Sequence, residues 1–300
     1  MLDVHRLRLL RELHRRGTLA EVARALSYSP SAISQQLSQL EAETGVRLLE
    51  RVGRGVRLTE QAHILVRHAD AVLERLELAE AELAASLTEV TGRLRAAFFQ
   101  TVLLALVPAA LSRLAERHPG LRVEITQSEP EPAFAGLLAH DFDVVLGEEY
   151  PGQPATPLPG VDEEDLAHDQ MLLAVPAGGR FGAGPLQLAD LADTPWAFDP
   201  AGTAAGTWAR TLCRTAGFDP DVRFESTDYL LNMHLVETGH AVTLLPELLL
   251  TARPAAVRLV ELPGCPTRRL YTGVRRGTAG HPAVRAFRAA LRAGLPDAAG

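Results

Sequence analysis

The stretch Thr18 to Thr59, TLAEVARALSYSPSAISQQLSQLEAETGVRLLERVGRGVRLT, constrains the fold of this chain more than any other. Thr18 stands three residues before Glu21, the spacing of a capping box, so a short helix is predicted to start there, with Ala20, Ala23 and Leu26 on one face. Ser27-Tyr28-Ser29 is a tight connection into Pro30. Ser29 as N-cap and Pro30 at the first helical position open a second helix, because proline lacks only an N–H that has no partner there anyway. That helix buries Ile33, Leu37 and Leu40, spaced i, i+4, i+7, and turns Ser31, Ser34, Gln35 and Ser38 outward.

The outward face is uncharged and rich in hydrogen-bonding groups, where a solvated helix face carries Glu and Arg. Short Ser and Gln side chains suit base edges and phosphate oxygens at close range. Two short helices joined by a tight turn, the second polar outside, read as a helix-turn-helix. Beyond them, LLERVGRGVRLT places two short extended runs around Gly53-Arg54-Gly55, with Arg51, Arg54 and Arg57 at the turn. This is a hairpin with a basic tip, a wing able to reach the DNA backbone.

These residues resemble the winged helix-turn-helix of LysR-type transcriptional regulators. The matching runs are Val22-Ala23-Arg24-Ala25-Leu26, Ser29 to Leu37, Leu40 to Arg51, and Arg54 to Thr59. Three positions depart from the family pattern: Leu49 for the usual Phe, Gln35 for a frequent basic residue, and Ala62 for a glycine. The base contacts of the family therefore do not carry over at Gln35. The resemblance implies a DNA-binding surface in which Ser31, Ser34 and Gln35 lie nearest the bases, flanked by Pro30 and Gln36. Thr18, Ser29, Arg51 and Arg54 would hold phosphates.

The net charge of −7 argues against a nucleic-acid binder only until it is divided along the chain. Residues 1–58 hold ten arginines and six acidic residues, a charge of +4. Residues 59–92 carry −5 and residues 93–300 carry −6. A basic head on an acidic body can hold DNA locally while the body stays clear of it.

Ahead of the motif, Val4, Leu7, Leu10 and Leu13 mark a helix that packs beneath it. After it, a long helix from Thr59 to about Leu87 shows apolar positions Ala62, Leu65, Ala69, Val72, Leu76, Leu83 and Leu87 at coiled-coil-like spacing. Such a rod pairs with a second copy or packs on its own body, and the expected assembly is a homodimer or homotetramer. From residue 93 the pattern alternates short apolar strands with helices, as in a parallel α/β sheet. The expected division is a winged helix-turn-helix at 1–58, a linker helix and hinge at 59–92, and an effector domain at 93–300. Within the last, lobe I comprises 93–168 and 268–300, and lobe II comprises 169–267. The fold class is α/β with an N-terminal all-α winged helix-turn-helix, a long linker helix and a two-lobed, periplasmic-binding-protein-like effector domain. This half also resembles the LysR-type regulators, through HPGLRVEI at 118–125, FDVVLG at 142–147 and LADLADTPW at 188–196.

In such a clamshell a ligand lies between the lobes, at strand ends and helix N-termini. Candidate effector-binding residues are Phe99, Gln100 and Thr101 after the first strand, Thr203 before a helix, and Thr227 with Asp228 after VRFES. Each hydroxyl either contacts a ligand or caps its helix, and the resemblance implies effector contact at Thr101. Asp228 opposes a plain anion and keeps an amine-bearing or neutral ligand open. The carboxylates of Glu129, Glu131, Glu148, Glu149 and residues 162–165 read as a solvated acidic surface in loops.

No GxSxG, HExxH or Cys/His spacing marks a catalytic set, and no cofactor or metal is expected. Cys213 and Cys265 lack CxxC spacing. The charged amphipathic N-terminus is no signal peptide, and Val102–Leu111 is too short to span a bilayer, so the expected location is the cytoplasm. A solute-binding protein or an enzyme with an incidental helical extension would require one of those missing features. A one-domain regulator of MarR type does not fit a body of this length. The expected partners are operator DNA, a small-molecule effector and further copies of this chain, with no membrane.

Overall fold

The computed structural model describes residues 1–26, 28–53, 55–182 and 184–296. Three helices, α1 (Val4–Arg16), α2 (Leu19–Leu26) and α3 (Pro30–Thr44), precede a hairpin of β1 (Leu49–Val52) and β2 (Gly55–Leu58). Ser29 caps α3 as its sequence requires, its hydroxyl accepting from the Ala32 N–H at 3.2 Å. Gly45, at φ 70°, ends the helix in the left-handed region that favours glycine. Ile33, Leu37 and Leu40 are fully buried against Leu7, Leu10 and Leu13 of α1 and Val22 and Ala23 of α2. The inward stripe of α2 is Leu19, Val22, Ala23 and Leu26; Ala20 lies about 100° from it and faces solvent, contrary to expectation.

Helix α4 runs Glu60–Ala85, capped at its start by Thr59, whose hydroxyl accepts from the Ala62 N–H at 3.2 Å. Its apolar positions divide between two faces. Ala62, Val66 and Ala69 complete the core of the head, whereas Val72, Leu76 and Leu83 are exposed, as is Leu87 just beyond the helix.

The body begins with β3 (Gly92–Phe98), α5 (Gln100–Ala105), α6 (Val107–Arg117), β4 (Leu121–Gln127), α7 (Pro130–Leu138) and β5 (Val144–Glu149). Between Gln100 and Arg117 the helical stretch is interrupted at Leu106, ahead of Pro108, whose ring removes the N–H needed to continue the ladder. The long strand β6 (Val161–Pro176) follows, then β7 (Pro195–Phe198), α8 (Ala204–Thr215), β8 (Asp221–Glu225) and α9 (Tyr229–Glu237). The remaining elements are β9 (Thr243–Pro246), α10 (Glu247–Ala252), β10 (Val257–Glu261), β11 (Thr267–Arg275) and α11 (Pro282–Arg292).

The strand order is β10-β6-β11-β5-β3-β4, with β9 also on β6. Strands β3, β4 and β5 are parallel, and β11 runs antiparallel to both β5 and β6. The first part of β6 pairs with β11, and its last part pairs with β9 and β10. One continuous strand thus serves two lobes. Lobe II adds the parallel pair β7-β8, tied to β9 by the Trp196–Val242 bridge. Each lobe has its own core, one around Phe98, Leu106, Leu146 and Phe287, the other around Trp196, Phe198, Trp208 and Leu244. No helix among the described residues is long and apolar enough to cross a membrane.

The acidic run at 162–165 is not a loop surface but the first part of β6. Its charges are paired: Asp162 accepts from Arg288 at 3.0 Å and Asp165 from Arg269 at 2.7 Å. Glu148 and Glu149 lie on β5, where they face Arg268 and Arg269. Those carboxylates read as loop charge in the sequence because their arginine partners lie more than a hundred positions away.

Candidate functional sites

Two surfaces assemble the residues singled out in the sequence. On the head, Ser31, Ser34, Gln35 and Ser38 share the exposed face of α3. That face carries no charged side chain, and the first turn of α3 holds no acidic residue, so its N-terminal dipole is free to favour phosphate. The Ser29 and Ser31 hydroxyls lie 3.0 Å apart at the helix start, beside Pro30. Gln36 is turned aside: half-buried, it accepts from Arg6 Nε at 3.1 Å. Thr18 caps α2 by accepting from the Glu21 N–H at 3.2 Å and remains exposed.

The wing is held against α3 by a contact that local sequence does not signal. Glu41, on α3, accepts from the backbone N–H groups of Leu48 and Leu49 at 2.7 and 3.0 Å. In the hairpin Leu49 pairs with Leu58 and Arg51 with Val56. Arg51 is exposed and has no ion-pair partner among the described residues, whereas Arg57 is tied to Glu50 at 2.9 Å. Arg54 lies outside the described residues.

The second site lies between the lobes. Gln100 and Thr101 form the first turn of α5, directly after β3. Gln100 Nε2 donates to Asp228 Oδ1 at 2.9 Å, which joins lobe I to lobe II. Asp228 also caps α9 by accepting from the N–H groups of Leu230 and Leu231. These bonds, the one from Gln100 foremost, hold its carboxyl below the usual carboxylate range. Thr101 is fully buried, and its hydroxyl accepts from Arg268 Nη2 at 2.9 Å. Arg268 sits over the ring of the buried Phe99, 5.4 Å from its centroid. Thr203 caps α8, accepting from the Gly206 N–H at 3.0 Å, and its hydroxyl donates to Pro200 O. A side chain at Gly206 would lie 2.2 Å from Pro200 O, so glycine is what lets α8 approach the loop at 199–200. Thr227 lies beside Glu129, the residue preceding α7 in lobe I, and acts to lower its carboxyl against the effect of burial.

Sequence reading missed the centre of the site. Arg268 starts β11 and is paired in register with Asp169 on β6. It donates to Asp169 at 2.7 Å and to Glu148 at 2.9 Å, with all three side chains largely withdrawn from water. Tyr150 donates to Glu148 at 3.1 Å and lies 3.4 Å from the Tyr229 hydroxyl, which in turn reaches Asp199 at 3.4 Å. Burial raises the carboxyls of Glu148, Glu129 and Asp199; the charge of Glu148 adds to it at Glu129 and Asp199, and that of Asp169 at Glu148. Asp199 is pushed up to about 7. Burial likewise lifts both tyrosines well above their ordinary range.

Beside Asp199 is a cavity of about 10 Å³, room for roughly one water-sized group, walled by Tyr150, Phe198, Trp208, Tyr229 and Asn232. The Tyr150 and Trp208 rings stack 5.3 Å apart. Asn232 is 1% exposed and its Oδ1 has no partner; Asp199 Oδ1 is buried and likewise unpaired. Buried acceptors without donors carry a desolvation cost, so the site is arranged to receive a hydrogen-bond donor. Five carboxylates (Glu129, Glu148, Asp169, Asp199 and Asp228) border this network, and the Arg268 guanidinium lies within it.

No cluster of His, Cys, Asp and Glu among the described residues has metal-binding geometry. Cys213 is buried and its thiol is pushed up to about 12 by burial, while Cys265 is exposed.

Residues 4–63 match the family described as bacterial regulatory helix-turn-helix protein, lysR family, and residues 88–296 match the LysR substrate binding domain. The probable HTH-type transcriptional regulator LrrA of Synechococcus elongatus is 25% identical over 300 residues, covering 99% of this chain and 98% of that protein. Full-length OxyR C199D from Pseudomonas aeruginosa shares the fold at a TM-score of 0.71 and 18% identity, covering 97% of this chain and 95% of its own. Full-length CbnR complexed with its target DNA aligns at a TM-score of 0.55 and 23% identity, covering 97% of this chain and 99% of its own.

Proposed function

The chain belongs to the LysR family of transcriptional regulators, and we propose that it binds an operator through α3 and the wing and answers to a small hydrogen-bond-donating or cationic effector in the cleft. The observation that carries the DNA reading is the uncharged exposed face of α3, set on a fully buried Ile33-Leu37-Leu40 stripe. In this reading Ser31, Ser34 and Gln35 meet base edges, while Thr18, Ser29 and the wing arginines Arg51 and Arg54 meet phosphates. Gln36, occupied by Arg6, serves the packing of the head more than the DNA. The boundaries fall at 58/59 and 92/93, with α4 between head and body. Two copies pair through the exposed Val72, Leu76 and Leu83 of α4, which brings two heads to a two-part operator.

The effector reading rests on the acceptor-rich cleft. Asn232 and Asp199 offer unpaired oxygens within an aromatic wall, and a cation there gains both a carboxylate and ring faces. The Gln100–Asp228 bond joins the lobes, so a ligand that competes for Asp228 biases their closure. Operator binding by the full chain, measured with matched panels of small amines and small carboxylates, tests this. Amines are expected to shift operator affinity; a response confined to carboxylates would overturn the effector class and leave the DNA reading intact.

A further inference from the structure

A pocket of about 270 Å³ lies away from the cleft, where the head, α4 and lobe I meet. It is lined by five arginines, Arg11 and Arg15 of α1, Arg67 of α4, and Arg275 and Arg276 at the end of β11, against three carboxylates, Asp70, Glu74 and Glu77. Asp70 is engaged by Arg15 at 3.1 Å and Glu77 by Arg275 at 2.7 Å. Arg67 and Arg276 have no carboxylate partner among the described residues, and Glu74 has no basic one. Among the lining residues five arginines face three carboxylates, an excess of two positive charges, while Glu12 and Asp143 outside the lining bind Arg11 and Arg275.

Two atoms on its lining residues lack partners. Arg11 is 3% exposed; its Nη2 donates to Glu12 at 3.2 Å, but its Nε–H has no acceptor. Glu12 is already shared, since Arg16 donates to it at 2.9 Å. His140, following α7, has Nδ1 at 3.3 Å from Glu77, and its buried Nε2 has no partner. Burial and the surrounding arginines push this histidine down to about 2, so the ring is neutral. With the ring proton on Nδ1, the nitrogen beside Glu77, Nε2 is left as an acceptor. The pocket thus asks for a group that accepts from guanidinium and also offers one hydroxyl hydrogen. The wall is rigid: a side chain at Gly277 would lie 2.5 Å from Glu74 O, so the turn Arg276–Thr278 is seated directly on α4.

We propose that this junction is a second ligand site, separate from the cleft, for a small dianion that keeps one acidic hydrogen, inorganic hydrogen phosphate. Its charge of −2 offsets the excess of two, its oxygens accept from Arg11 Nε, Arg67 and Arg276, and its remaining P–OH donates to His140 Nε2. Because α1, α4 and lobe I each contribute a wall, the bound anion fixes the head relative to the body and biases operator geometry without touching the cleft.

The test is calorimetric titration of the full chain at pH 7.5 with inorganic phosphate, with glycerol 3-phosphate as a monoester, and with sulfate. Sulfate and the monoester dianion match the charge but have no acidic hydrogen to give His140. Phosphate is expected to bind at least tenfold more tightly than either sulfate or the monoester. Arg67→Ala combined with Arg276→Ala, both at exposed positions that leave the core intact, is expected to weaken phosphate tenfold or more. Arg223→Ala, which removes an exposed arginine on β8 outside both sites, is expected to leave it unchanged. Equal binding of phosphate and sulfate, no binding, or unaltered binding in the double variant would overturn the site. A general loss of affinity for nonspecific duplex in that variant, with phosphate binding unaffected, would assign the arginines to DNA backbone instead.

Discussion

Asp199 shows how much one buried carboxyl can set. Its pKa is raised from an ordinary 3.8 to about 7, first by burial and then by Glu148 and Glu129. The folded state therefore keeps a proton that the unfolded chain gives up, and this contribution to stability is full below about pH 4 and lost as pH rises towards 7. Asp199→Asn removes the titration. Denaturant unfolding of both proteins across that window is expected to show the wild type losing on the order of 4 kcal/mol relative to the variant. Parallel curves would mean that Asp199 is solvated. A cationic effector reverses the balance, since it favours the carboxylate. Its binding near pH 7 is expected to release a proton, visible as a calorimetric enthalpy that changes with the buffer's ionisation heat. On the head, Gln35→Ala is expected to cost roughly 1–3 kcal/mol of affinity for the operator and little on other duplexes, measured by fluorescence anisotropy.

At the scale of elements, α3 and α4 carry the account. Leu37 is fully buried between helices, so Leu37→Ala is expected to lower the stability of the head by about 2–5 kcal/mol and abolish operator binding. The two-lobed body has its own cores and should melt unchanged in calorimetry. On α4, Leu76→Glu with Leu83→Glu places charge on the exposed stripe and is expected to yield monomers in sedimentation; an unchanged mass would assign that stripe to another role. These helices were legible in the sequence because caps, Pro30 and apolar period are local signals. Ser29 and Thr59 cap where their neighbours require, and Gly45 ends α3. The first part of β6 was not legible. A run such as DEED becomes a strand only when Arg269 and Arg288, more than a hundred residues away, neutralise it. The cleft failed for the same reason. Gln100, Thr101 and Asp228 stand out at strand ends, but the Arg268–Glu148 bond spans 120 positions and leaves no local trace. Val66 and Leu76 look alike in the sequence, and only the position of α1 separates the core face of α4 from its free face.

For the whole molecule, the arrangement is a head of charge +4 on an acidic body, with α4 as the element that both share. Ala62, Val66 and Ala69 of α4 pack into the head, while Glu77 farther along is bound by Arg275 of lobe I. A change of closure at the Gln100–Asp228 contact can thus reach the heads through packed elements rather than through a loose tether. Operator recognition depends on the outward side of α3 meeting DNA bases. The most direct measurement compares two variants, Ser34→Ala with Gln35→Ala and Arg51→Ala with Arg54→Ala, on operator and nonspecific duplex across a salt series. The first is expected to lower the operator-to-nonspecific affinity ratio at least tenfold with an unchanged salt slope. The second is expected to weaken both duplexes and flatten the slope by about 1–2. Operator preference that survives the first pair at full strength would contradict the reading of α3 as the recognition helix.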